Sequence, residues 1–347
     1  MRAEQHPSPI RVSLEMTKQD PLADRFSVPV EGCDVNEKGK LSRYRAKWKV
    51  WMSWHGLSGS DPNSIQSQIH RMLFNDLTYR AITSVRESVD TGKTISARSS
   101  TLAYLLDQGY VVSQVLSLQK LLDPGRGVIS LRRLLKDVQS HRSLITREIY
   151  VAGDGHPYDY NSWSDSVDKA DPMVRMWGIE APGLARFATS KYLHEQFDLL
   201  SRKQAQDRTR DDTICKSIFG TLNGWISTSG ATEIGSIRNN FVAHSADAVR
   251  RGGAQFTGVK LSQIDQLQRA IVRVERALTD HILSIRVGRT IVPSPPLGIF
   301  HGLDSPYSPP DAERLMHRRW SDLRKERDGW AQGIMEDLKS EPATAQS

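Results

Sequence analysis

Leu261-Ser262-Gln263-Ile264-Asp265-Gln266-Leu267-Gln268-Arg269-Ala270-Ile271-Val272-Arg273-Val274-Glu275-Arg276-Ala277-Leu278-Thr279-Asp280-His281-Ile282 is the stretch that decides the fold. Leu261, Ile264, Leu267, Ile271, Val274, Leu278 and Ile282 return at intervals of three and four. That spacing lines one face of a helix over about six turns. No other segment has so strong a period, and neither a repeat nor a strand-rich block competes with it.

Upstream, weaker versions of the same pattern recur. Ile65, Ile69, Met72, Leu73, Leu77, Ala81 and Val85 predict a helix from Ser64 to about Ser88, announced by Asp61-Pro62-Asn63. Leu105, Leu106, Val112, Val115 and Leu118 predict a second from about Leu102 to Leu122, stopped by Asp123-Pro124-Gly125. Ser130 caps a third, carrying Leu131, Leu134, Leu135, Val138 and Leu144. A further helix is expected from Leu184 to about Gln206, and another through Ile214, Ile218, Leu222 and Trp225. The fold expected is all-α, an up-and-down helical bundle over residues 43–287. Residues 150–190 form a loop-rich, irregular insertion in it. Residues 1–42 read as a disordered tail. Residues 288–347 read as a Pro-containing linker followed by an extra C-terminal amphipathic helix with Met316, Trp320, Leu323, Trp330 and Ile334, docked on the bundle or on a second subunit.

The formal charge of +7 makes an anionic partner plausible, and Arg outnumbers Lys, as phosphate recognition favours. Cys33 and Cys215 are the only thiols, which fits a reducing, cytoplasmic setting without a disulfide framework. No run reaches membrane-spanning length, so no membrane partner is expected. Neither an H-E-x-x-H, a phosphate loop ending in Lys-Ser/Thr nor a G-x-S-x-G elbow is present. Asp154, His156 and Asp159 sit within six residues of loop without helical support, a poor metal site, and no cofactor is implied. Trp48, Trp51 and Trp54 recur every third residue among Arg and Lys. They either stack bases or cap the core, and three indoles on one stripe bury well.

The stretch just before the long helix carries the chemistry: Ile237-Arg238-Asn239-Asn240-Phe241-Val242-Ala243-His244-Ser245. With 32 Arg and 10 His in 347 residues, an Arg at one fixed spacing from a His arises about once by chance. Asn occurs only seven times, and requiring it beside the Arg lowers that to roughly 0.02. Arg276…His281 also has a permitted gap but lacks a polar residue after the Arg, and is read as coincidence.

The phrase Arg238-Asn239…Ala243-His244-Ser245 resembles the R-(polar)-x4-H signature of the HEPN superfamily, most closely its abortive-infection U-type branch. The likeness extends loosely over residues 64–285. It implies a helical bundle acting as a metal-independent endoribonuclease of toxin–antitoxin or antiphage type, cleaving tRNA or mRNA. It also implies a homodimer joined through the motif face, with an antitoxin or nucleotidyltransferase as a possible partner. In the roles it implies, His244 transfers a proton, Arg238 stabilises charge on the phosphorane, and Asn239 supports them; Asn240, Arg250 and Arg251 bind substrate. Those residue types suit the task. Imidazole exchanges protons near neutrality, and guanidinium grips two phosphate oxygens. On a straight helix Arg238 and His244 point about 120° apart and about 9 Å along the axis, so an opposing wall is needed to make one cleft. The alternative is a catalytically inactive helical module binding RNA or a protein partner.

Overall fold

The computed structural model describes residues 26–57, 61–88, 101–162, 184–242, 258–285, 291–295, 298–300 and 311–340. The chain is an all-α bundle. Among the described residues the one extended pairing is an isolated antiparallel bridge between Thr146 and Thr213.

Helix α1 (Lys38–His55) enters the core on a stripe of Leu41, Tyr44, Trp48, Trp51, Met52 and His55, all buried. The stretch read as a tail is structured from Phe26: Cys33 and Val35 are buried, and the Arg45 guanidinium bonds the carbonyls of Val28 (2.9 Å) and Gly153 (2.8 Å). The tail reading fails for residues 26–42, because a short, aperiodic segment can be held by side chains far away in sequence, and its residues 1–25 lie outside the described residues.

Helices α2 (Ile65–Ser88) and α3 (Thr101–Leu121) pack side by side, close to the expected bounds. Ser130 caps α4 (Leu131–Ser140), its Oγ accepting from the Arg133 N–H at 3.1 Å. Leu144, expected on α4, lies instead in a separate 3₁₀ turn. The short α5 (Arg147–Ala152) follows, buried at every residue. Beyond it the described part of the loop region, to Ser162, is irregular apart from a 3₁₀ turn at Tyr160–Ser162. Helix α6 (Leu184–Ser201) stops five residues earlier than expected, where Arg202 adopts φ 60°. Helix α7 (Lys216–Ser227), α8 (Ala231–Ile237) and α9 (Leu261–Arg276) come next. Each of α8 and α9 ends in a π turn, Arg238–Val242 and Ala277–Ile282.

The C-terminal pair, α10 (Ala312–Asp328) and α11 (Ile334–Ser340), docks on the bundle of this same chain. Met316, Trp320, Leu323, Trp330 and Ile334 are buried, as their spacing required. A buried ionic knot registers the contact. Arg327 Nη2 reaches Asp76 and Asp265, each at 3.0 Å, while Arg80 bonds the same two carboxylates and the Tyr110 hydroxyl donates to Asp76. Burial and the Asp76 charge push the Tyr110 phenol up. Two carboxylates and two guanidiniums neutralise one another, which offsets part of the desolvation that any single buried charge would incur. Burial still pushes the Asp265 carboxyl up against the pull of Arg80 and Arg327. A second knot around Arg147, bonded to Asp212, Asp198 and Ser201, ties α5 to α6. There burial pushes the Asp212 carboxyl up, but bonds from Lys203, Thr209 and Arg147 outweigh it and hold it at about 2.

Candidate functional site

Gly230 opens α8 in the left-handed region at φ 83°, a conformation a Cβ would strain. This reversal after α7 lays α8 and its π turn against α3. Gly235 faces α3 closely: a Cβ there would stand 3.5 Å from Gln119 Nε2. Ile234 is buried, and Ile237 and Phe241 are partly so, so the expected apolar side of the helix does face the bundle.

The π turn begins at Arg238. It admits an extra residue into the turn, so the straight-helix angle between Arg238 and His244 does not hold across it. Asn239 Oδ1 accepts from Arg238 Nε at 2.9 Å and from Nη2 at 2.6 Å. The neutral amide orients the guanidinium without cancelling its charge, and leaves the Nη1 edge of the fork for another acceptor. Asn240 Nδ2 donates to Ser236 Oγ at 3.2 Å, which fastens it to its own helix. Among the described residues no carboxylate forms an ion pair with Arg238. The structure therefore joins Arg238 and Asn239 and places Asn240 beside them. His244, Arg250 and Arg251 lie outside the described residues.

The coincidental pair has the opposite surroundings. Arg276 is buried, 3.6 Å from Glu275 Oε2 and 3.4 Å from Asp280 Oδ2. Glu275 Oε1 also meets His55 Nε2 at 2.6 Å and the Thr279 hydroxyl at 3.3 Å. Burial pushes the His281 imidazole down, against a smaller upward pull from Glu336. The cavity beside Arg276, lined by Gln66, Ile69, His70 and Ile291, has about 10 Å³. That is room for about one water, and none for a ribose-phosphate.

The tryptophan stripe belongs to the core. Trp48 and Trp51 are sealed, with the Trp51 indole N–H donating to Asp137 at 2.6 Å. Trp54 is partly covered by the Arg133 guanidinium at 4.2 Å. The Asp154, His156 and Asp159 loop brings no metal-binding group together: among the described residues no cluster of three or more such ligands exists, and Asp159 accepts from the Asn161 N–H at 2.9 Å.

Sequence reasoning overlooked two buried histidines. His55 continues the Trp48 and Trp51 stripe one turn on, a signal that could have been read. His194 donates through Nε2 to the Tyr158 carbonyl at 2.8 Å. Burial and the nearby Arg147 and Arg208 push its imidazole down, against that bond, which raises it. Nothing in its surrounding sequence marks His194, because its partner comes from the irregular loop.

Compared with protein-family models, curated proteins and solved structures, the chain matches none. No helix among the described residues is long and apolar enough to cross a membrane.

Proposed function

We propose that the chain is a HEPN-type, metal-independent endoribonuclease of a toxin or antiphage system, acting on tRNA or mRNA. One observation carries the reading: Arg238 is presented by the neutral Asn239 amide, whereas the buried arginines Arg147, Arg276 and Arg327 are held by carboxylates. A guanidinium with unspent charge is what a phosphorane requires. In the reaction the ribose 2′-oxygen attacks phosphorus and the bond to the 5′-oxygen breaks, giving a 2′,3′-cyclic phosphate and a 5′-hydroxyl. His244 moves the proton, Arg238 takes up the charge on the non-bridging oxygens, and Asn240, Arg250 and Arg251 hold the strand. A second copy or a neighbouring helix closes the cleft.

The test is cleavage of total tRNA and of mRNA in excess chelator, with His244→Ala and Arg238→Ala as controls. Cleavage lost in both variants, with a cyclic-phosphate end on the product, supports the reading. Cleavage that persists in His244→Ala, or that chelator abolishes, sinks it. The second reading is a catalytically inactive module that binds a protein or RNA, and the uncovered apolar side of α3 favours it. That reading is supported by RNA left intact while binding is retained.

A further inference from the structure

Arg186, Ser190 and His194 are spaced by four and so share one stripe of α6. All three side chains donate to backbone carbonyls of the irregular loop. Arg186 reaches Gly155, the Ser190 hydroxyl reaches Pro157 at 2.6 Å, and His194 Nε2 reaches Tyr158 at 2.8 Å. The loop is thus held to α6 by a ladder of three rungs. The Tyr158 N–H in turn donates to Asp34 Oδ2 at 2.9 Å, so the loop also ties the segment before α1. Arginine keeps its charge at every accessible pH and a serine hydroxyl has none to lose. Imidazole alone among the rungs changes charge near neutrality.

The setting of His194 admits only the neutral ring. With Nε2 donating, Nδ1 carries the lone pair, and it is buried without a partner. The Tyr158 and Tyr160 rings stand edge-on at 4.8 Å and 5.4 Å. Protonation would put a donor on Nδ1 where no acceptor waits, and a buried donor left unmade is costly. The surrounding charge is also unfavourable. From α5, Arg147 donates to the carbonyl of His194 itself at 3.3 Å, and from beyond α6, Arg208 donates to the Tyr160 hydroxyl at 3.0 Å. Asp198, on α6, accepts from Arg147 at 2.7 Å and from Arg208 at 2.6 Å. Asp212 is held by Arg147 and Lys203, and Arg210, above the Tyr158 ring, by Glu148 and Asp34. Burial pushes the Tyr158 phenol up, so it supplies no negative charge.

We propose that His194 is a pH-sensitive latch: neutral, it fastens residues 155–162 to α6, and protonated, it lets that loop go. Burial, Arg147 and Arg208 push the imidazole down in the closed loop, against the Tyr158 bond and Asp198, which raise it. In the open loop it returns to its ordinary value of 6.5. The closed form therefore binds fewer protons, and opening gains as pH falls below that value. The open-to-closed ratio should rise about 10-fold between pH 7.5 and 5.5. The latch does not depend on RNA cleavage, and its test reads the loop alone.

Hydrogen exchange of the full chain at the two pH values, corrected for the intrinsic rate, measures that ratio at the Tyr158 amide. Protection there should drop about 10-fold relative to the amides of α2. His194→Gln keeps an amide donor for the Tyr158 carbonyl and cannot titrate, so its protection should be the same at both pH values. Ser190→Ala removes a rung without a proton, and should weaken protection equally at both while leaving the 10-fold ratio intact. His156, on the loop itself, also titrates, and His156→Gln should keep the wild-type response. Circular dichroism checks that each variant retains its helices. Wild-type protection that ignores pH, a response that survives in His194→Gln, or one that disappears in His156→Gln overturns the proposal.

Discussion

Among the described residues there are two π turns, each at an arginine followed within six residues by a histidine, and the two arginines have opposite environments. At Ala277–Ile282 the arginine is Arg276, with Glu275 before it and Asp280 one turn on, and its charge is spent inside the core. At Arg238–Val242 the neighbours are Ile237 and Asn239, and the guanidinium is held at the surface by an amide. Spacing and helix type are the same in kind. The chemistry is set by which groups flank the arginine and by whether its turn lies on a helix that the bundle surrounds. A motif read as two letters and a gap would not separate these turns; the charge of the residues between the letters does.

Stability should divide the two turns most sharply. Arg276→Ala removes a buried guanidinium from Glu275, which keeps His55, and from the partly exposed Asp280, and should cost about 2–3 kcal/mol. Arg238→Ala should move stability by no more than about 0.5 kcal/mol. Urea midpoints measure both, and a comparable loss in the two variants would erase the distinction. Cleavage should divide them the other way, with Arg238→Ala lowering the rate on RNA about 10²–10³-fold while the urea midpoint stays put. Asn239→Asp makes the surface turn imitate the buried one, by pairing Arg238 with a carboxylate. A loss of about 10–100-fold in cleavage is expected, with Asn239→Ala losing less. If Asn239→Asp cleaves as well as wild type, the neutral clamp has no chemical purpose.

The last contrast is in pH. Burial lowers the pKa of His281, on the core turn, and of His194. Above pH 6.5, their ordinary value, both are neutral in the folded and unfolded chain, and their contribution is complete. As pH falls through that value the unfolded chain takes up protons first, so stability declines. The urea midpoint should fall between pH 7.5 and 5.5, and His281→Asn should flatten part of that slope. A midpoint that rises on acidification contradicts the burial of these rings.

Much of the bundle was legible in the chain. The three-four intervals placed α2 and α3, Ser130 marked the start of α4, and the spacing of Met316 to Ile334 named the buried face of the C-terminal helices. Periodicity succeeds in α2 and the C-terminal helices because a helix that buries one side needs apolar residues at the helical repeat. In α3 it found the helix and not its buried face, since Leu105, Leu106 and Val112 of its pattern are exposed. It failed for residues 26–37, for the early end of α6 at Ser201 and for the π turns. Each of these is fixed by single contacts or by one altered backbone bond, with no repeat to detect. At the candidate site, Arg238 and Asn239 were legible as neighbours, while their clamp was not, since adjacency in sequence does not say which way two side chains turn.

Alone, the amino-acid order determined an all-helical chain, the inward side of most helices and the pairing of an arginine with an amide. Only the tertiary structure decided that Trp48 and Trp51 are sealed, that Arg276 is neutralised and Arg238 is not, and that α3 keeps an apolar side uncovered. Burial and charge pairing depend on which distant helix lies opposite, and that is a property of the assembled bundle rather than of any one stretch.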